Sequence, residues 1–359
     1  MSFIYVMKKS ITINLRGGFG NQLFQITGCL SLAKYSNHVC KYYAENIGED
    51  KYKRKLEVSD ICSTLKISKN DSLVGDNEIY LDENDLLHPI YFSEHTPLKD
   101  IKNNINITGL FSNYRIHQKD IIKDIQKIFN DIPLNLKLIQ NEYISIHVRE
   151  LHGTGSKNIQ KNIESLPFIF YEKGITRIEN LSEENCPKTV VIFSDSWQNP
   201  DESLLVPKIK DFLNKKNYQV IDGDLLCNSE LEIVAAMSKS YACIIGNSSM
   251  SWWGGYLNKN IVISPTFCLW EPLIKIPDSW IQIVTKDIAP KTHHEIKYFN
   301  LSIQNDTNKN IQRQFSSKRL KRKNMIYFIN NKLTSYFSKL RQRLFKLGLF
   351  INFNNSTFT

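Results

Sequence analysis

Between residues 143 and 264 short apolar segments alternate with helical ones, and this alternation narrows the fold more than any other feature of the chain. Tyr143 to Val148, Thr189 to Phe193, Tyr218 to Ile221, Ala242 to Gly246 and Ile261 to Ser264 have the length and β-branched content of buried strands. Leu166 to Asn180, Leu204 to Asn214, Glu230 to Ser238 and Ser249 to Leu257 carry apolar residues at helical spacing. Ser229, with Glu232 three residues on, forms a capping box at the start of the third of these helices. Such an order is that of a doubly wound parallel sheet with helices on both faces.

The first of these strands, YISIHVR, is unusual for such a sheet. Side chains alternate along a strand, so Tyr143, Ser145, His147 and Arg149 share one side while Ile144, Ile146 and Val148 share the other. A strand inside a parallel sheet is normally apolar on both faces. The polar side therefore needs a partner, and an arginine at the carboxyl end sits where open α/β sheets bind ligands. The bland alternative is a satisfied core histidine beside an arginine paired with a carboxylate such as Glu150.

Ahead of this region, Ser10 to Leu15 alternates as a strand, Arg16 to Gly20 breaks it, and Asn21 to Lys34 has helical spacing. Residues 41 to 100 are polar and irregular, with short extended candidates such as Glu78 to Leu81. A strand at Ile105 to Leu110 and a helix at Lys119 to Phe129 follow, and Pro133 marks a boundary. The expected division is an α/β domain over 1–135, a second α/β domain over 136–295, and a linker and tail over 296–359.

The formal charge of +10 belongs to that tail. From Thr307 onward there are twelve Lys and Arg and no acidic residue, leaving about −2 for the rest. Ile329, Leu333, Tyr336, Phe337, Leu340, Leu344 and Leu347 recur at helical spacing, with Lys332, Lys339, Arg341, Arg343 and Lys346 largely elsewhere on the wheel. This is the pattern of a basic amphipathic helix that attaches to an anionic membrane surface; a solvated terminus is the alternative. Nucleic acid is not the expected partner, because the tail's aromatics lie on its apolar side. Seven cysteines at irregular spacing form neither a metal set nor a CxxC pair. With no long apolar run and no signal-peptide pattern at the start, the expectation is a cytoplasmic protein, peripheral on the inner face of the plasma membrane.

Three loops complete the candidate site. Arg16-Gly17-Gly18-Phe19-Gly20-Asn21-Gln22 joins strand to helix, where glycines let backbone N–H groups approach an anion at a helix's positive end. It is not the dinucleotide fingerprint, since the third glycine would fall at Leu23, and this argues against an NAD-dependent dehydrogenase. A tight turn in which glycine only relieves positive φ is the alternative. Gly246-Asn247-Ser248-Ser249 offers hydroxyls and N–H groups to a phosphate, or else Ser248 or Ser249 is an ordinary N-cap and Trp252 and Trp253 are core. Ser194 and Asp195 end a third strand at the same edge, where Asp195 either accepts from a ligand or caps its own turn. A phosphate-rich ligand in an interdomain cleft accounts for all of these together.

With these residues in view the chain resembles a known family. RGGFGNQLFQ (16 to 25), Gly109 with Phe111, Ser112 and Tyr114, HVR (147 to 149), FYEK (170 to 173), FSD (193 to 195) and IIGNSSMSWW (244 to 253) look like the bacterial α-1,2-fucosyltransferases, in that family's order and over about residues 10 to 290. The resemblance implies a GT-B-like fold of two Rossmann-like domains with a cleft between them. It implies GDP-fucose as donor and inverting, metal-independent transfer to the 2-hydroxyl of a terminal galactose in O-antigen or other surface polysaccharide synthesis. The acceptor would be a galactose-terminated glycan, lipid-linked in one version. By matched position, Arg149 would bind the pyrophosphate with His147 beside it, Asn247, Ser248 and Ser249 would hold phosphate from the other wall, and Gly18, Asn21 and Gln22 would close over the donor. Two departures stand out. Glu150, Leu151 and His152 follow Arg149 where the family has Arg-Gly-Asp, and Ile233 replaces an Asp, which leaves Glu232 as the base-reading carboxylate. Glu150, His152 and Glu172 are the candidates for general base. Another GDP-sugar transferase, a fucosyltransferase of different linkage, and a nucleotide-binding protein without turnover remain as competing expectations.

Overall fold

The computed structural model describes residues 9–45, 47–48, 55–71, 78–82, 104–112, 117–135, 137–150, 166–194, 203–265 and 276–283. His152, Asp195, Tyr114 and the whole of the 296–359 tail lie outside them. Two parallel sheets organise the chain. The first contains β1 (Ser10–Asn14), β2 (Val39–Tyr43), β3 (Ser68–Lys69), β4 (Glu78–Asp82) and β5 (Asn104–Thr108) in the order β3-β2-β1-β5-β4. Its helices are α1 (Phe19–Ser36), α2 (Ser59–Thr64) and α3 (Lys119–Asp131).

The second sheet contains β6 (Tyr143–Val148), β7 (Thr189–Ser194), β8 (Gln219–Asp222), β9 (Ala242–Ile244), β10 (Ile261–Pro265) and β11 (Ile281–Ile283). Its order is β11-β10-β9-β6-β7-β8. Counted from its own first strand this is 3-2-1-4-5-6, the doubly wound Rossmann order, and the sequence reverses direction between β6 and β9. Among the described residues these strands are connected by α4 (Phe168–Ser182), α5 (Leu205–Lys215), α6 (Glu230–Ser238) and α7 (Ser249–Leu257). The expected α/β architecture of two Rossmann-like sheets is therefore present. The expected boundary near Pro133 falls between the sheets, yet packed helices join both into one compact unit over Met1–Ala289. No helix among the described residues is long and apolar enough to cross a membrane.

The two faces of β6 have different neighbours, and this resolves its polar stripe. Ile144, Ile146 and Val148 are fully buried, and the Ile146 row continues to Ile244 of β9, against which Gly174 of α4 packs. On the other face the Tyr143 hydroxyl donates to the Ala236 carbonyl of α6 at 2.5 Å, and the Ser145 hydroxyl lies 2.9 Å from that of Ser240. Two of the three polar positions thus find partners on the helix layer that meets the first half. That meeting is aromatic: Trp252 and Trp253 are fully buried, with Phe24 of α1 at 4.8 and 5.0 Å from their rings. His117 stacks on Trp253 at 5.8 Å. The Trp253 indole N–H donates to the Gly20 carbonyl at 3.1 Å, so the double tryptophan is core that fastens one half to the other.

Candidate functional site

Two helix N-termini meet at the carboxyl edges of the two sheets. α1 starts immediately after β1, through a turn in which Gly17 has φ +78° and Gly18 is the N-cap. α7 starts after β9, with Ser248 as N-cap. Neither helix is capped by its own N-cap side chain: Ser248 takes the N-cap position that the bland alternative gave to it or Ser249, but its hydroxyl makes no cap bond there. A methyl group at Gly20 would lie 2.4 Å from the Met250 amide nitrogen and 2.5 Å from the Ser249 carbonyl carbon. Only glycine lets the first turns of α1 and α7 touch. The positive ends of two helix dipoles, one from each sheet, are thereby brought to one place.

His147 and Arg149 close the β6 side of the same edge. β6 and β9 are the two strands of the switch point, and His147 lies in the row beyond the Ile146 to Ile244 pairing. A Cβ at Gly246 would meet the His147 carbonyl oxygen at 2.6 Å and its Nδ1 at 2.7 Å, so the imidazole lies directly under the loop that leads into α7. His147 is 2% exposed and its Nδ1 has no hydrogen-bond partner among the described residues. Burial, and after it the positive charge of Arg149, push its pKa down to about 3. The ring is neutral at physiological pH, and the guanidinium of Arg149 is near enough for its field to be felt there.

The remaining candidates divide sharply. Asn21 and Gly18 stand in the first turn of α1, with the Asn21 amide against Gly17. Gln22 is fully buried and spends its side chain internally. Its amide donates to the carbonyls of Gly17 and Lys55, both at 2.8 Å, and its oxygen accepts from the Glu57 N–H at 3.0 Å. It braces the glycine turn instead of projecting from it. Gln25 does the same toward β5, accepting from the Arg16 N–H at 3.0 Å and donating to the Gly109 carbonyl at 2.9 Å. That residue was not singled out from the sequence, although it belongs to the same ten-residue motif.

Glu150 is a helix cap. One carboxylate oxygen accepts from the backbone N–H groups of Leu204 (3.1 Å) and Leu205 (2.8 Å), and the other from the Ser203 hydroxyl. A base candidate therefore stands engaged at both oxygens at the start of α5. Glu232 also caps: its carboxylate accepts from the Asn228 N–H at 2.8 Å while its own N–H donates to Ser229 at 3.2 Å. The capping box was legible, and it now occupies the residue expected to read a base. Ser194, at the end of β7, donates its N–H to Asp224 at 3.0 Å, a carboxylate that the sequence reading missed because it lies in a short 3-10 turn after β8. Glu172 lies on α4, behind the opposite face of the sheet from His147, and lines a shallow depression with Lys173, Thr176, Arg177 and Asn180. Asn247 is buried beside Gly246, and Ser249 packs on Gly20. Among the described residues no cluster of His, Cys, Asp and Glu suited to a metal ion occurs.

No protein-family profile matches the chain. The O-antigen biosynthesis glycosyltransferase WbnK of Escherichia coli is 26% identical over 294 residues, spanning 70% of this chain and 92% of that protein. Similar solved structures include the fucosyltransferase NodZ from Bradyrhizobium, 12% identical over 69% of this chain and 92% of its own, with a TM-score of 0.44. NodZ α-1,6-fucosyltransferase co-crystallised with GDP is 11% identical over 69% and 92%, with a TM-score of 0.41. The E. coli ADP-heptose lipopolysaccharide heptosyltransferase II is 11% identical over 83% and 99%, with a TM-score of 0.39.

Proposed function

We propose that this chain is a glycosyltransferase using a nucleotide-sugar donor, and more closely that it moves L-fucose from GDP-fucose to the 2-hydroxyl of a terminal galactose. One observation carries the class: two helix N-termini, one from each parallel sheet and neither bonded by its own N-cap side chain, touch through Gly20 at the carboxyl edge where Arg149 also stands. Such an edge is built for a compact, multiply charged anion, and a sugar diphosphate leaving group is one. The name of the E. coli relative supports sugar transfer and O-antigen synthesis as the context. GDP-fucose and the 1,2 linkage rest on the motif resemblance of residues 10 to 290.

In this reading the bond between fucose C1 and the β-phosphate oxygen breaks as the acceptor hydroxyl attacks the opposite face, with oxocarbenium character in between. Negative charge grows on the pyrophosphate. Arg149 and the N–H groups of the two first turns meet it without a metal ion, and Ser248 and Ser249 add hydroxyl donors. His147, neutral, contributes shape and a hydrogen-bonding ring instead of charge. The acceptor hydroxyl's proton goes to a base, for which His152 remains the candidate, since Glu172 lies on the far side of the sheet from this edge and Glu150 is engaged at both oxygens. The acceptor glycan would be carried on a lipid at the cytoplasmic face, with the basic segment after Thr307 holding the enzyme to anionic lipid.

The test is incubation of the full chain with a panel of GDP-, UDP- and ADP-sugars over galactose-terminated acceptors, with and without EDTA, followed by linkage analysis. Transfer from GDP-fucose, unaffected by EDTA and giving a 1,2-linked product, is expected. Transfer from a different donor would overturn the finer assignment, and no transfer with retained GDP binding would replace the enzyme by a binding protein.

A further inference from the structure

Cys29 and Cys40 face each other inside the first half. Cys29 lies on the buried side of α1 and Cys40 is the second residue of β2, to which the chain returns through the left-handed Asn37 after α1 ends. Their sulfurs are 3.0 Å apart, with the Cys40 thiol donating to Cys29 and the Cys29 thiol donating to the Ile11 carbonyl at 3.5 Å. A disulfide needs about 2.0 Å, so the approach to be completed is roughly one ångström. We propose that Cys29 and Cys40 are an oxidisable pair that closes to a disulfide pinning α1, the helix bearing the glycine turn, to β2.

With hydrogen peroxide as oxidant the chemistry balances. The thiolate sulfur of Cys40, which is 7% exposed against 0% for Cys29, attacks one peroxide oxygen. The O–O bond breaks, hydroxide leaves and is protonated to water, and a sulfenic acid remains. The Cys29 sulfur then attacks that sulfur and displaces its hydroxyl as a second water. Two thiols are oxidised, one peroxide is reduced, and a thiol reductant reverses the bond. Burial, and after it the contact with Cys29, raises the Cys40 thiol well above its ordinary range, so the closure accelerates with pH and is slow at neutrality.

The proposal stands apart from the assignment of donor and acceptor, and its test needs no activity assay. The full-length reduced protein is treated with hydrogen peroxide at pH 7 and pH 9, the remaining thiols are alkylated, and a proteolytic digest is read by mass spectrometry. The Cys29–Cys40 linked peptide should form faster at pH 9, vanish on reduction, and be absent from Cys40→Ser. The melting temperature of the oxidised wild type should rise by roughly 5 °C, a gain reversed by reductant. A Cys40–Cys62 link, a Cys40 sulfonic acid without linkage, or unchanged Cys29 and Cys40 while half-exposed Cys227 is oxidised would each overturn it. Cys29→Ala, which keeps the core apolar, provides the second variant should Cys40→Ser fold poorly.

Discussion

Arg149 and Glu150 adjoin in sequence at the end of β6, and their surroundings give them different work. Arg149 is close enough to His147 to depress its pKa, at the edge where two helix N-termini meet. Replacing it by alanine should cut transfer at least ~100-fold, the scale of losing one transition-state charge donor, while the urea unfolding free energy stays within about 1 kcal/mol of wild type. Retention of most activity would remove Arg149 from the site. Glu150→Ala is expected to behave in the opposite way. It strips three acceptor contacts from the start of α5, so unfolding should become about 1–3 kcal/mol easier, with kcat near wild type well below the melting temperature. A 100-fold fall in kcat without loss of stability would return Glu150 to the role of general base. From sequence alone neither outcome could be separated, because a cap to Leu204 and Leu205 is a tertiary contact across more than fifty residues.

At the scale of elements, what was legible was what repeats. β6, α6 and α7 have the bounds that periodicity indicates, and the capping box at Ser229 and Glu232 marks the start of α6. β2 was missed, since Lys41 and the tyrosines of VCKYY weaken the apolar signal, and six-residue α2 is too short to show a helical period. Helical spacing starts α1 only at Asn21, because Gly20 reads as a breaker. In the fold Gly20 is inside the helix, and its lack of a side chain is what lets α7 approach. Gly20→Ala should therefore cost about 1–3 kcal/mol by overpacking and lower transfer along with it, as the two N-termini are forced apart. Gly174→Ala is the matched control: its new methyl meets the flexible end of Ile244 at 2.9 Å, and a change within ~1 kcal/mol is expected. Equal losses in a urea titration of the two variants would mean that the helix tips are not a special contact.

At the scale of the whole molecule, the two sheets are held by a seam that burial makes sensitive to acid. Beside the tryptophans, Lys239 at the end of α6 donates to the carbonyls of Asn130 (3.0 Å) and Ile132, closing the end of α3, and Asn135 donates to the Leu226 carbonyl at 3.2 Å. None of these long-range contacts has a sequence signature, which is why a simple boundary at Pro133 was the natural reading. His117 lies in this seam, buried, stacked on Trp253 and bonded through Nε2 to the Phe111 carbonyl at 2.9 Å. Burial is the larger influence on it and lowers its pKa from 6.5 to about 4, against a smaller opposing pull from that carbonyl; His147 falls from 6.5 to about 3. Above pH 6.5 both rings are neutral folded or unfolded, and they add no pH dependence. Below it the unfolded chain takes up protons that the folded chain refuses, so stability drops as pH falls, by up to about 1.4 kcal/mol per pH unit for each histidine. The His117 share ends near pH 4 and that of His147 near pH 3. His117→Phe keeps a flat ring against Trp253 but cannot titrate. Urea unfolding at intervals between pH 6.5 and 4 should show a slope roughly half that of wild type in the variant. An unchanged slope would place the acid sensitivity in His147 and in carboxylates elsewhere and leave the seam indifferent to protons.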